Sequence, residues 1–193
     1  MEAKPPTKVS VRALIVLAVV ALIVFAVDQG SKYLIVTNLT EHEQVDVIGS
    51  LLRFYFVKNS GAAFSIGSGS TWIFSIIATG VLIFVIWFAP RIRSAGWAIL
   101  FGLLLGGLLG NLTDRLTRAP GFGRGEVIDF LQIPVLPAIF NIADVAIVSS
   151  MVLFLILTLR GVGLDGTRHV KTIEVDSSAQ SASEDPAGDR TAQ

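Results

Sequence analysis

Two aspartates carry the most reactive-looking surroundings in this chain. Asp129 lies within Val127-Ile-Asp-Phe-Leu131 and Asp144 within Ile142-Ala-Asp-Val-Ala146, and neither has a Lys or Arg within four positions. Apolar surroundings disfavour an ionised carboxylate, and two such groups held about 3 Å apart cannot both ionise easily, so they share a proton. The neutral partner could then donate to a carbonyl while the charged one activates water. The alternative is structural: Asp129 caps a turn, and Asp144 pairs with Lys32 or Arg115. On spacing alone the two readings stand level.

Other polar residues fall where they could join such a site. Asp28 and Lys32 are i,i+4, as are Asn111 and Arg115, while Asn141 and Asp144 are i,i+3, so each pair shares a helix face. Asp28–Lys32 and Asp114–Arg115 can also be read as salt bridges holding helices together. Asn59 ends an aromatic-rich run.

Competing chemistries lack their parts. There is no cysteine, which removes thiol catalysis, Cys-ligated metal and disulfides. The histidines, His42 and His169, are expected on opposite sides of a membrane, so neither a two-His metal site nor a His-based triad forms within one chain. Ser31 and Lys32 are adjacent on a helix and diverge by about 100°. Gly161-Val-Gly-Leu-Asp-Gly166 fits a dinucleotide-loop pattern but opens no βαβ unit. No metal, cofactor or nucleic acid is expected.

The elements that must position these residues are membrane helices. Hydrophobic residues make up 52% of the 193 and charged residues only 16%, against about a quarter charged in a soluble domain. Apolar runs occur at Ala13–Val27 (extendable past Asp28 to Val36), Trp72–Ala89, Ala95–Leu112 and Ile142–Leu159. Each approaches the roughly 20 residues that cross a bilayer. The first is followed by no A-x-A cleavage site and reads as a retained helix. Gly102, Gly106 and Gly110 form a stripe that admits a close helix neighbour.

Basic residues set the orientation. Lys4, Lys8, Arg12, Arg91, Arg93, Arg160, Arg168, Lys171 and Arg190 share the side of both termini, against Lys32, Arg53, Lys58, Arg115, Arg118 and Arg124 on the other. The positive-inside rule therefore places both termini in the cytoplasm. Asp28, Asn111, Asn141 and Asp144 then converge near the outer face. The chain divides into a cytoplasmic N-terminus (1–11), a four-helix membrane domain (12–160) and a Ser- and acid-rich cytoplasmic tail (161–193) expected to be disordered. The fold class is an all-α membrane protein with a small extracytoplasmic β-element at about 45–66, built on Leu51–Val57. Thr113–Pro137 reads as a non-helical outer segment.

Five motifs now stand in order: Asp28-Gln-Gly-Ser-Lys32, Asn59-Ser-Gly-Ala-Ala-Phe64, Gly110-Asn-Leu-Thr-Asp-Arg115, Val127-Ile-Asp-Phe130 and Phe140-Asn-Ile-Ala-Asp144. Their types and order resemble bacterial lipoprotein signal peptidase (signal peptidase II), over the membrane domain but not the tail. The resemblance implies an intramembrane aspartic endopeptidase of the bacterial cytoplasmic membrane, cutting prolipoproteins just before a diacylglyceryl-modified cysteine. It implies Asp129 and Asp144 as the catalytic pair, with Asn59, Gly61, Asn111, Arg115 and Asn141 lining the site and Asp28 and Lys32 supporting it. Small residues at Ser60–Ala63 would leave room for a substrate backbone. The implied partners are diacylglyceryl-modified prolipoproteins and membrane lipid, with the enzyme acting as a monomer. One departure is visible: Gln132–Ile139 lacks the Trp that many members carry there.

Two other classes fit the residue types alone. A small transporter or proton relay would carry polar groups through the full membrane depth, whereas the inner halves of these helices are nearly bare. A non-enzymatic scaffold would tolerate loss of either Asp129 or Asp144.

Overall fold

The computed structural model describes residues 9–49, 51–61, 71–136 and 138–168. Four helices are long and apolar enough to cross a membrane: α1 (Val11–Asn38), α2 (Thr71–Phe88, extended by a 3-10 turn at Ala89–Arg91), α3 (Ala95–Thr117) and α4 (Ile142–Leu159). Their outward faces carry exposed Ile15, Leu22, Ile76, Ile86 and Leu155, a surface suited to lipid rather than water.

α3 is the central post, with α1, α2 and α4 packed on it. The glycine stripe explains how. A Cβ at Gly102 would sit 2.8 Å from the Leu17 carbonyl oxygen, and one at Gly106 would sit 2.7 Å from that of Ala21, both on α1. On another face, a Cβ at Gly107 would sit 2.6 Å from the Ala143 carbonyl of α4. Backbones this close gain dispersion contacts that substitute for the hydrophobic drive missing inside a bilayer. Gly110 faces the Asp28 carboxylate itself, and an added methyl there would overlap it. We therefore expect Gly110→Ala to destabilise the protein by about 1–3 kcal/mol or more. Gly30→Ala, with open space at its Cβ, should leave the melting temperature in detergent unchanged or raised. Equal melting of the two variants would contradict this packing.

At one end of the bundle lies a four-stranded antiparallel sheet in the order β1 (Gln44–Ile48), β2 (Leu52–Asn59), β3 (Val127–Gln132), β4 (Ile139–Phe140). The aromatic run forms a strand as expected, but the sheet exceeds the 45–66 element by recruiting β3 and β4 from the second connecting segment. Val57 pairs with Asp129 and Lys58 with Ile128. Alternation along β3 points Ile128 and Phe130 into an apolar cluster with Ile35 and Phe56, which leaves Asp129 on the opposite face.

Two further boundaries differ from expectation. α3 continues to Thr117 rather than stopping near Leu112, because Asp114 and Arg115 are buried against partners instead of solvated in a loop. Residues 161–168, assigned to the tail, fold back at the other end of the bundle. Val162 bridges Arg168, the Leu164 carbonyl accepts from the Arg93 and Ser94 amides at 2.9 Å, and the Val162 carbonyl accepts from Trp97 Nε1 at 3.0 Å. The rest of the expected tail, 169–193, and residues 1–8 lie outside the described residues.

Candidate active site

α4 begins with a reciprocal cap. The Asn141 side-chain oxygen accepts from the Asp144 amide at 3.0 Å, and Asp144 Oδ2 accepts from the Asn141 amide at 3.1 Å. The pair satisfies two otherwise orphaned helix donors. It also leaves the Asn141 amide nitrogen free to turn outward, donating to Asp129 Oδ1 at 2.6 Å and to Asn111 Oδ1 at 3.1 Å.

Three asparagines surround the two aspartates, and a group that can only donate fixes the orientation of each. Asn141 Oδ1 is held by a backbone N–H. Asn59 Oδ1 accepts from the Gly61 amide at 2.9 Å, which directs its nitrogen to Asp129 Oδ2 at 2.8 Å. Asn111 Oδ1 accepts from the Lys32 ammonium at 3.0 Å, which directs its nitrogen to Asp144 Oδ1 at 2.8 Å. An ammonium and a peptide N–H have no acceptor to offer, so flipping any of these amides would set donor against donor. Each aspartate thus receives two donors, one on each oxygen, and both line the same cavity of about 300 Å³.

That cavity is also lined by Asn59, Gly61, Asn111 and Arg115. Asp129 is only 3% exposed. Burial, and then the Asp144 charge, push its carboxyl from the usual 3.8 up to about 7, against the opposing pull of the Asn59 and Asn141 hydrogen bonds and the Lys32 charge. It can therefore hold or release a proton near neutral pH. Arg115 is buried, its guanidinium 5.3 Å from the Phe74 ring centre and its Nη2 donating to the Gly61 carbonyl at 2.8 Å. Its Nη1 has no hydrogen-bond partner among the described residues.

Beneath the cavity wall lies an ion cluster. Lys32 is wholly buried and bridges Asp28 at 2.9 Å and Asp114 at 2.8 Å. Asp114 also meets Arg118 at 2.7 Å. The expected Asp28–Lys32 pair is present, but Arg115 takes the Gly61 carbonyl rather than Asp114. Asp144 forms no ion pair with Lys32 or Arg115 within 4.0 Å. Asp114, read as an outer-loop residue paired with Arg115, instead lies within α3 and pairs with Lys32 and Arg118. Its i,i+4 spacing to both Gly110 and Arg118 becomes informative only once the helix is extended through it. Cavity-lining Ile147 and Val148 of α4 were also missed, since apolar residues on a membrane helix carry no signal of facing a site. Ala62, Ala63 and Phe64 lie outside the described residues.

Among the described residues no His, Cys, Asp and Glu group is arranged to hold a metal ion. The arrangement is one of two carboxyls and oriented amides facing a shared cavity, suited to proton transfer and activation of water.

Comparison with known proteins agrees with the motifs. The profile of the signal peptidase (SPase) II family matches residues 20–160. The chain is 67% identical to the lipoprotein signal peptidase of Leifsonia xyli over all of its own length and 87% of that protein. It is 48% identical to that of Streptomyces coelicolor over 82% of this chain and 77% of the relative. A bacterial membrane enzyme solved by the in meso method at 2.3 Å superposes with a TM-score of 0.71 at 29% identity, covering 86% of this chain and 99% of the other. A second, solved at 1.9 Å, gives 0.68 at 31% identity, covering 79% of this chain and 97% of the other. With its four membrane-spanning helices and a profile match over most of its length, the chain belongs to the signal peptidase II family of proteases.

Proposed function

We propose that this protein is an intramembrane aspartic endopeptidase that removes signal peptides from prolipoproteins by hydrolysing the bond before a diacylglyceryl-modified cysteine. The observation that carries this reading is the pairing of Asp129 and Asp144 across one cavity, each receiving donors on both oxygens. Family membership supports the substrate class.

In the proposed cycle the two carboxyls hold one proton between them. The charged one takes a proton from water as the hydroxyl adds to the scissile carbonyl carbon, and the neutral one donates to the carbonyl oxygen. Collapse of the tetrahedral intermediate breaks the C–N bond: the protonated carboxyl passes its proton to the leaving amine while the charged one takes the proton of a hydroxyl on the intermediate, and the new carboxylic acid then ionises to solvent. The products are the signal peptide with a new carboxylate and the lipoprotein with a free α-amino group on its modified cysteine. The dyad again holds one proton. Arg115 Nη1, without a partner among the described residues, is a donor for a substrate carbonyl. Asn59, Asn111 and Asn141 orient the carboxyls, and Gly61 lets substrate backbone approach.

The positive-inside bias supports a topology with both termini in the cytoplasm and the sheet with its cavity at the outer face of the cytoplasmic membrane. There a cysteine anchored by two acyl chains would present its preceding peptide bond. Both aspartates come from one chain, so a monomer is sufficient for the proposed chemistry. The test is cleavage of a diacylglyceryl-modified prolipoprotein peptide by the purified protein, beside the same peptide without lipid. Cleavage of the lipidated peptide alone, before the modified cysteine, is expected. Equal cutting of both peptides, or no cleavage by well-folded protein, would contradict the reading.

A further inference from the structure

Lys32 does not touch the cavity, yet its three bonds lead to both aspartates. Through Asn111 it reaches Asp144 Oδ1. Through Asp28, whose Oδ1 accepts from the Ala143 amide at 3.0 Å, it reaches the residue immediately before Asp144. Through Asp114, whose Oδ2 accepts from the Ile128 amide at 3.3 Å, it reaches the residue immediately before Asp129. The two acids therefore form matching clamps on the backbone just ahead of each cavity aspartate, and the ammonium joins the clamps.

We infer that Lys32 is a positioning residue that sets the separation of the Asp129 and Asp144 carboxyls by tying the Asp28 clamp on α4 to the Asp114 clamp on β3. The inference rests on the proposed dyad. A simple ion pair between helices would need only one acid, and would not engage the backbone ahead of both aspartates. All three ammonium hydrogens are used, on Asp28, Asp114 and Asn111, so the hub cannot rotate without breaking a bond to one side of the site. The charged groups facing this cluster are Asp28 of α1, Asp114 and Arg118 of α3, Asp129 of β3 and Asp144 of α4. Arg115 is turned to Gly61.

The width of the bell-shaped pH profile of kcat/KM tests this, because two carboxyls titrate further apart the more strongly their charges repel. Loosening the hub should let the carboxyls drift apart, narrowing the bell by about one pH unit and lowering kcat/KM about 10–100-fold. Lys32→Met removes a positive charge and Asp28→Asn a negative one, so the midpoint of the profile should move to higher pH in the first and lower pH in the second. Narrowing in both would then come from geometry and not from charge. Lys32→Met could leave Asp28 buried and unpaired and fail to fold. The double variant Lys32→Met/Asp28→Asn avoids this, since Asp114 keeps Arg118, and it too should show the narrow bell.

A bell of wild-type width in every folded variant, with only its height or the melting temperature reduced, would overturn the inference and leave Lys32 as a structural ion. Failure of the dyad itself would show differently, as cleavage surviving in Asp129→Asn or Asp144→Asn.

Discussion

Asp129→Asn is expected to lose turnover and yet to melt higher than wild type in alkaline buffer. The Asp129 carboxyl is raised from 3.8 to about 7, first by burial and then by the Asp144 charge. A raised folded-state value means that the native protein holds the proton more tightly than the unfolded chain. This group's contribution to stability is then fully present below 3.8 and is lost as pH rises through about 7. Three pH units correspond to about 4 kcal/mol at most. Asparagine does not titrate and escapes that loss. It does turn one amide N–H against a donor, since Asn59 and Asn141 are both fixed as donors to this position, at a cost of about 1–2 kcal/mol. The variant should therefore melt at or below wild type near about pH 5 and above it at about pH 8.5, with a net gain of about 2 kcal/mol. Parallel melting curves for the two proteins across that range would show that Asp129 ionises freely in the fold.

Asn141 carries the second large effect, because it serves α4 and both aspartates at once. Removing its side chain in Asn141→Ala leaves the Asp144 amide without its cap and Asp129 Oδ1 without its 2.6 Å donor. Loss of the cap should cost about 1 kcal/mol, and misplacing the carboxyls should lower kcat by about 100-fold or more. Asn141→Ser separates the two losses. A serine oxygen caps the helix about as well as asparagine but is too short to keep the bonds to Asp129 and Asn111. The expected result is melting close to wild type with kcat still reduced about 100-fold. Recovery of both by serine would show that Asn141 matters only as a helix cap.

The membrane helices were legible in the sequence because hydrophobic length is a strong local signal: α4 begins and ends where its apolar run does. The far end of α3 was not. Thr113 to Thr117 reads as polar and loop-like, and becomes helical because Asp114 and Arg115 find buried partners on α1 and after β2. Such partners are 54 or more positions away in the chain and leave no mark on local composition. β3 illustrates the same point, since Val127–Leu131 could have been buried in several ways and is a strand because β2 pairs with it. At the site, helical spacing placed Asn141 with Asp144 and Asp28 with Lys32 correctly. It could not reveal that one ammonium would join two acids from different helices, or that every asparagine would be locked in one orientation.

In the proposed reaction Asp129 and Asp144 together perform the hydrolysis. The most direct measurement is kcat/KM for a diacylglyceryl-modified prolipoprotein peptide with wild type, Asp129→Asn and Asp144→Asn, each first shown to be folded by its melting curve in the same detergent. Both variants should fall by a factor of about 10⁴ or more, as expected when either half of an acid–base pair acting as one unit is removed. Cleavage before the modified cysteine at near wild-type rate in either variant would contradict the claim.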